Sequence, residues 1–207
     1  MDRLLTFCNA IVGRFRGGLA QVNVVQSIIF ASMSGSALAD AAASGKLMQS
    51  LMTRDGKYTP AYAAALTTVS SVIGPIMPPS IPLVLYALVS DTSVGYLFLG
   101  GVIPGLLLGA VQSGLIALTA KRRNFPVEER VPLRDLPRIT WEALPALLMP
   151  VILLGFLYSG ITTPTEAAAV AAAYALLISV FLYRNVGLKD IYRSLVTSGR
   201  ITVSIGM

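Results

Sequence analysis

The fold of this chain is decided by residues 70–80, which read SSVIGPIMPPS. Three prolines and a glycine fall close together here, at Gly74, Pro75, Pro78 and Pro79. Each proline removes a backbone N–H and clashes with the carbonyl one turn back, and it disfavours helical dihedrals at the residue before it. We therefore predict two half-helices joined by an unwound segment. A proline kink without any ligand is the alternative, but it is typical of a single proline.

The composition is typical of a membrane protein. Of the 207 residues, 55% are hydrophobic and 13% are charged, whereas soluble domains carry about 25% charged residues. The sequence contains no histidine and a single cysteine, Cys8, which excludes histidine-dependent catalytic dyads and an internal disulfide from these residues. It also contains no Walker A motif, so nucleotide hydrolysis by that route is not expected.

Long apolar stretches alternate with basic segments. A membrane span needs about 20 apolar residues, and the stretches that approach or exceed this length are 22–52, 58–89, 96–120 and 143–183. The last is long enough for two spans, divided by a turn at residues 159–164. All 16 Lys and Arg residues fall into four groups, within residues 3–16, 46–57, 121–138 and 184–200. By the positive-inside rule these groups are cytoplasmic, and the uncharged turn 159–164 lies outside, as does turn 90–95, which carries no basic residue.

This topology predicts a re-entrant hairpin over residues 21–57. The apolar stretch 22–52 has basic flanks at both ends, so it must return to the side from which it enters. It is too short for two full spans, but it can reach mid-membrane and turn back at residues 34–37, which read SGSA. One long tilted helix, with Ser and Gly as packing residues, is the alternative.

Two acidic residues lie inside the apolar stretches, Asp40 and Glu166. We interpret Asp40 as an N-cap of a return helix that begins at residue 41, or as a group near a cation site. Glu166 follows Thr163 and Pro164 and is expected in the first turn of a helix, where it offsets the dipole. Freed carbonyls and hydroxyls in the proline segment could coordinate Na⁺, and half-helix N-termini could hold an anion.

Four motifs carry a resemblance to a known family. They are SGSALADAAA at residues 34–43, SSVIGPIMPPSI at 70–81, LFLGGVIPG at 97–105 and GITTPTEAAA at 160–169. With these motifs in this order, the chain resembles the large membrane subunit of the tripartite ATP-independent periplasmic (TRAP) transporters, often called DctM. The resemblance covers nearly the whole chain but about half of the family subunit, so we expect an internal piece.

The resemblance implies an all-α integral membrane protein of the elevator type, with one inverted repeat and the start of a second. It implies a multi-pass permease of the bacterial inner membrane that imports C4-dicarboxylates, sugar acids or similar carboxylates, with Na⁺ as the coupling ion and no other cofactor. The expected partners are a small membrane subunit (DctQ-like), a periplasmic substrate-binding protein, the remaining half of the large subunit and the lipid bilayer. Enzymatic activity and nucleic-acid binding are not expected.

The resemblance also assigns candidate site residues. The hairpin tip and the proline segment would together form one Na⁺ site and half of the substrate site. The Na⁺-binding candidates are Ser34, Gly35, Ser36, Gly74 and Pro75. The substrate-site candidates are Ser36, Ala37, Pro78, Pro79 and Ser80. Positioning roles are expected for Asp40, Ser70 and Ser71.

The expected organisation has six parts. They are an amphipathic lead-in (1–20), the hairpin (21–57), the broken helix with the following span (58–120), a cytoplasmic interfacial linker (121–141), two spans that start the second repeat (142–183), and an amphipathic arm with the start of the next element (184–207). Two other functions remain open from the residues alone: the membrane subunit of an ATP-driven importer, and an intramembrane enzyme.

Overall fold

The structure is a computed structural model that describes residues 2–56, 58–123, 125, 132, 134–183 and 187–206. The described residues form helices joined by turns and contain no strand, which confirms the all-α prediction. The helices are α1 (Asp2–Val12), α2 (Gly18–Ser34), α3 (Ala37–Ala43), α4 (Gly45–Thr53), α5 (Pro60–Ser71), α6 (Ile81–Ser90), α7 (Val94–Arg123), α8 (Leu136–Tyr158), α9 (Pro164–Leu177) and α10 (Leu188–Gly206). A π-helical turn, Ile178–Leu182, extends α9.

The first interruption separates α2 from α3. Gly35 has a left-handed backbone (φ 62°), and its N–H bonds to the Ala31 carbonyl at 3.0 Å. Glycine is the residue that adopts this conformation without steric cost, and it commonly ends helices in this way. Ser36 then starts α3 as its N-cap. The alternative of one continuous helix through residues 22–52 is therefore wrong, and the membrane depth of the turn stays a prediction.

The second interruption lies between α5 and α6. Residues 72–80 form successive turns rather than a helix, as the prolines predict. Ser80 starts α6, and its Oγ accepts a hydrogen bond from the Leu83 N–H at 3.3 Å. Pro82 lies in the first turn of α6, where a missing N–H costs nothing because no carbonyl precedes it in the helix. The prediction of two half-helices joined by an unwound segment is confirmed.

The long helix α7 packs a stripe of glycines against this second interruption. Gly101, Gly105 and Gly109 are all buried. A Cβ on Gly101 would lie 2.5 Å from the Ile76 carbonyl oxygen, and one on Gly105 would lie 2.9 Å from the Met77 sulfur. The small residues therefore allow the backbone of α7 to approach the unwound segment closely.

Three helices are long and apolar enough to cross a membrane: Val94–Arg123, Leu136–Tyr158 and Pro164–Leu182. At about 1.5 Å per residue, the 30 residues of α7 extend beyond a hydrocarbon core of about 30 Å. Its last turn carries Lys121, Arg122 and Arg123, which is consistent with an end in the headgroup region.

Helix α9 begins with a capping box, in which Thr163 and Glu166 bond each other's backbone N–H. The structural interpretation of Glu166 is confirmed.

Two boundaries differ from the sequence predictions. Helix α8 begins at Leu136 rather than near residue 143, so the end of the predicted linker is helical; Pro137 in its first turn favours a helix start. The return segment is divided into α3 and α4 at Ser44. Much of the predicted linker (124, 126–131 and 133) and residues 184–186 of the predicted arm lie outside the described residues.

Candidate functional site

The hairpin tip is built from backbone turns and short hydroxyl caps. The Ser36 N–H bonds to the Ser34 Oγ at 3.4 Å, and the Ser36 Oγ accepts from the Ala39 N–H at 3.3 Å. The Ser36 carbonyl accepts from the Asp40 N–H at 3.1 Å. The carboxyl end of α2 and the amino end of α3 thus meet at Gly35 and Ser36.

The proline segment is closed by its own hydrogen bonds. The Ile73 N–H bonds to the Ser70 carbonyl at 3.1 Å, and the Gly74 N–H bonds to the Ser71 carbonyl at 3.0 Å. At the far end of the segment, the Ser80 Oγ donates to the Pro75 carbonyl. The peptide bond between Pro78 and Pro79 is cis. Residues 72–80 are therefore held as a defined turn between α5 and α6.

The two interruptions are in direct contact. The Ile81 N–H bonds to the Gly35 carbonyl at 3.5 Å. A Cβ on Gly35 would overlap the Pro79 carbonyl oxygen, and one on Gly74 would lie 3.0 Å from the backbone nitrogen of Ala37. Both glycines are therefore needed where one backbone meets the other. The structure brings the hairpin tip (residues 34–37) and the proline segment (residues 72–80) together, and we call this contact the junction.

The junction carries partial charges of both signs. Helix α2 ends at it with carbonyl oxygens, and α6 begins at it with N–H groups. A helix carboxyl end favours a cation and a helix amino end favours an anion. The hydroxyls of Ser36 and Ser80 already cap α3 and α6, so their oxygens have a structural role as well as the predicted binding role.

The predicted residues fall into two groups. Ser34, Gly35, Ser36, Ala37, Gly74, Pro75, Pro78, Pro79 and Ser80 lie at the junction. Ser70, Ser71 and Asp40 lie behind it: Ser71 bonds the Thr68 carbonyl at 2.8 Å, whereas Ser70 and Asp40 line a buried polar region between helices.

The N-cap prediction for Asp40 is wrong. Ser36 is the cap, and Asp40 lies in the first turn of α3, because the left-handed Gly35 makes the turn tight and the return helix begins at Ala37 rather than at residue 41. The Asp40 side chain is 1% exposed. Its Oδ1 accepts from the Ser44 Oγ at 2.7 Å, so Asp40 holds the point at which α3 passes into α4.

Sequence reasoning missed a polar seam between α2 and α5. The Asn23 Nδ2 donates to the Thr67 Oγ1 at 3.3 Å, and the Ser27 Oγ donates to the Ser70 Oγ at 3.2 Å. All four side chains are buried. The available signal was the spacing of polar residues within apolar helices, at 23 and 27 and at 67 and 70, which places each pair on one helical face.

Some buried oxygens in this region have no hydrogen-bond donor within the described part of the chain. They are Asn23 Oδ1, Gln26 Oε1 and Asp40 Oδ2. Buried polar atoms without partners are costly and are uncommon in folded proteins. The seam therefore presents oxygen atoms, including one carboxylate, close behind the junction.

The fold and the junction define a class: a helical membrane protein whose paired helix interruptions meet within one bundle, as in secondary transporters. The whole chain, residues 1–207, matches the family model described as tripartite ATP-independent periplasmic transporter, DctM component. The chain therefore belongs to this transporter family, which confirms the family predicted from the motifs.

Curated relatives agree with this assignment. The chain is 43% identical over 203 residues to the C4-dicarboxylate TRAP transporter large permease protein DctM of Pseudomonas aeruginosa, covering 98% of this chain and 47% of the relative. It is 43% identical over 188 residues to the sialic acid TRAP transporter large permease protein SiaM of Vibrio cholerae, covering 91% and 44%. It is 43% identical over 185 residues to the DctM protein of Vibrio cholerae, covering 89% and 41%.

The chain spans about half the length of these relatives. They are permeases of a transporter family rather than enzymes, and their membrane location is that predicted here. A family described as ATP-independent does not favour the alternative of an ATP-driven importer.

Proposed function

We propose that this chain forms one half of the large permease of a Na⁺-coupled tripartite transporter that imports small organic anions. The hairpin tip and the proline segment contribute one Na⁺ site and part of the substrate site. The other half of the permease, a small membrane subunit and a periplasmic substrate-binding protein complete the transporter.

One observation carries this proposal: the backbone contact between the two interruptions. Oxygen ligands suit hard cations such as Na⁺, and interrupted helices supply carbonyl oxygens that no intrahelical N–H occupies. The tip places Gly35 and Ser36 against Pro79 and Gly74, so backbone carbonyls of the hairpin tip and of the proline segment lie in one place. The dipole of α6 favours an anion at the same junction, while the first N–H groups of this helix bond Gly35 and Ser80.

The substrate class is inferred from chemistry that the relatives share. Two relatives are named for C4-dicarboxylates and one for sialic acid, and all of these compounds carry a carboxylate. We therefore propose a carboxylate as the group recognised at the junction, with the rest of the molecule bound partly by the other half of the permease.

Uptake into proteoliposomes tests this proposal. The complete permease is reconstituted with its small subunit and binding protein, and uptake of a labelled C4-dicarboxylate or sialic acid is measured under an inward Na⁺ gradient. Uptake should require Na⁺ and should not respond to ATP inside the vesicles. Uptake that persists without Na⁺, or that needs ATP, contradicts the proposal.

Paired glycine variants locate the Na⁺ site. A Cβ at Gly74 meets the backbone of Ser36 and Ala37 at 3.0 Å, whereas one at Gly114 meets nothing within 4 Å. Gly74→Ala should raise the Na⁺ concentration needed for half-maximal uptake, because the added methyl pushes the tip away from the proline segment. Gly114→Ala should leave it unchanged, and an equal response of the two variants contradicts the assignment.

A further inference from the structure

A cavity lies at the end of the bundle opposite the junction, where residues 13–17 pack against the carboxyl end of α7. Gly17 has a left-handed backbone (φ 76°), and a Cβ on it would lie 3.2 Å from side-chain atoms of Ala120 and Ile116. The chain between α1 and α2 is therefore pressed against the last turns of α7. Arg16 precedes Gly17 and Lys121 follows Ala120, and both basic residues line the cavity.

The cavity has a volume of about 610 Å³. Its lining combines apolar and basic groups and consists of Val12, Phe15, Arg16, Gln21, Ser113, Ala117 and Lys121. The Gln21 Nε2 donates to the Ser113 carbonyl at 2.9 Å, so the neutral polar groups hold each other. Apolar surface and two cations remain for a ligand.

Among the residues that the structure describes, no acidic side chain pairs with the basic residues of this cavity. The sequence has no acidic residue between positions 3 and 39, and none between 92 and 127. Two neighbouring cations lie over aromatic rings: the guanidinium carbon of Arg14 is 5.3 Å from the ring centroid of Phe15, and that of Arg123 is 5.9 Å from the ring centroid of Tyr62. Within the described part of the chain, Arg16 and Lys121 are exposed and show no ion pair.

The helix dipole does not account for these cations. The carboxyl end of a helix carries a partial charge of about −0.5, whereas the last turn of α7 alone carries Lys121, Arg122 and Arg123. Arg16 adds to this excess. A ligand with a full negative charge therefore complements the cavity better than the helix end does.

We propose that this cavity binds an anionic phospholipid of the cytoplasmic leaflet. Its phosphate lies between Arg16 and Lys121, and an acyl chain lies along Val12, Phe15 and Ala117. Basic cavities between helices on the cytoplasmic side are suited to acidic headgroups, and the apolar wall distinguishes a lipid from free phosphate, which shares only the charge. This inference does not depend on Na⁺ coupling or on the transported substrate.

Native mass spectrometry of the complete permease tests the proposal. The protein in neutral detergent is titrated with dioleoyl phosphatidylglycerol, dioleoyl phosphatidylcholine or inorganic phosphate. We expect retention of phosphatidylglycerol at a stoichiometric site, weaker retention of phosphatidylcholine, and no protection of that site by phosphate. Equal retention of both lipids, or displacement of phosphatidylglycerol by millimolar phosphate, overturns the lipid assignment.

Matched variants localise the site. The double variant Arg16→Gln/Lys121→Gln should weaken phosphatidylglycerol binding about 30-fold, from a contribution of about 1 kcal/mol per basic residue near an anionic lipid. The double variant Lys46→Gln/Arg54→Gln removes the same number of positive charges from another exposed basic group, and it should bind phosphatidylglycerol as the unaltered protein does. Equal weakening in both would indicate general charge attraction and would overturn the site.

Two further variants keep the test independent of folding. Ala117→Phe retains every charge but fills the apolar part of the cavity, and it should reduce phosphatidylglycerol retention. Arg16→Lys/Lys121→Arg keeps the two charges and should retain the lipid. Full retention in Ala117→Phe, with an unchanged size-exclusion profile, would contradict the proposed acyl-chain position.

Discussion

A Cβ atom on Gly35 would overlap the carbonyl oxygen of Pro79, so the hairpin tip and the proline segment touch through their backbones. Gly35 also has a left-handed backbone (φ 62°). The residue is thus constrained twice, once by its own conformation and once by its neighbour. Each constraint can be tested separately because the chain contains a second glycine that shares only one of them.

Gly35→Ala should destabilise the permease more than Gly160→Ala. Gly160 has a similar φ of 70°, but a Cβ on it meets nothing within 4 Å. The left-handed strain costs about 1–2 kcal/mol in either variant, and the overlap with Pro79 adds about 1–3 kcal/mol in Gly35→Ala alone. Thermal unfolding of the purified permease measures the difference, and equal melting temperatures would show that the tip does not contact the proline segment.

Ser36→Ala separates capping from ion binding. Ser36 caps α3, and Thr59 caps α5 through an equivalent bond to the Tyr62 N–H at 3.4 Å. Removing either cap should cost about 1 kcal/mol of stability. Only Ser36→Ala should also raise the Na⁺ concentration for half-maximal uptake, because its hydroxyl lies at the proposed Na⁺ site. The same Na⁺ response in both variants would limit Ser36 to capping.

The seam bond between Ser27 and Ser70 should appear as a coupling energy. The two hydroxyl oxygens are 3.2 Å apart and buried, so a double-mutant cycle with Ser27→Ala and Ser70→Ala should give about 0.5–1.5 kcal/mol. Ser90→Ala serves as a control, since the Ser90 hydroxyl bonds only the exposed Tyr86 carbonyl. A coupling energy near zero would mean that α2 and α5 are not held by this contact.

Three glycines of α7 should respond differently to alanine. A Cβ meets the Ile76 carbonyl at 2.5 Å for Gly101, the flexible Met77 sulfur at 2.9 Å for Gly105, and nothing within 4 Å for Gly100. We expect Gly101→Ala to cost about 1–3 kcal/mol and Gly105→Ala to cost less. Gly100→Ala should be neutral or stabilising by up to about 1 kcal/mol. Melting temperatures in any other order would contradict the packing of α7 on the proline segment.

Cysteine labelling tests the predicted topology against an unreactive native thiol. Burial raises the pKa of Cys8 to about 12, and the thiolate is the reactive form, so a maleimide at pH 8 should leave Cys8 unmodified. Lys46→Cys and Arg54→Cys should then react with a membrane-impermeant maleimide only from the cytoplasmic side. Thr92→Cys, in the turn predicted to lie outside, should react from the periplasmic side.

External labelling at positions 46 and 54 would overturn the re-entrant hairpin. Labelling of Cys8 itself would show that α1 is not packed as described. Both outcomes can be read from the same set of vesicles, because permeabilisation exposes the cytoplasmic positions in a second measurement.

Local rules predicted the interruptions well. Proline at 75, 78 and 79 removes N–H groups whatever surrounds it, so the break between α5 and α6 follows from the sequence. The SGSA tip follows similarly, because glycine tolerates the left-handed conformation found at Gly35. These features depend on residues that are adjacent in the chain.

Features that depend on distant residues were not predicted. The bond between Asn23 and Thr67 joins positions 44 residues apart, and it requires the relative rotation of α2 and α5, which no local pattern fixes. The error at Asp40 has a local cause. Asp and Ser are both good N-caps, and Ser36 is the N-cap of α3 because the backbone of Gly35 ends α2 just before it. The start of α8 at Leu136 was not predicted, because the first turns of this helix contain polar residues.

Two adjacent residues of α7 form hydrogen bonds to two different helices, α5 and α2. Gln112 donates to the Val69 carbonyl of α5 at 3.1 Å, and the Ser113 carbonyl accepts from Gln21 of α2. Sliding α7 along either neighbour would break one of these links, and α2 and α5 are themselves joined by the polar seam. If α2, α5 and α7 move as one rigid unit during transport, a cross-link between any two of these helices should leave transport intact.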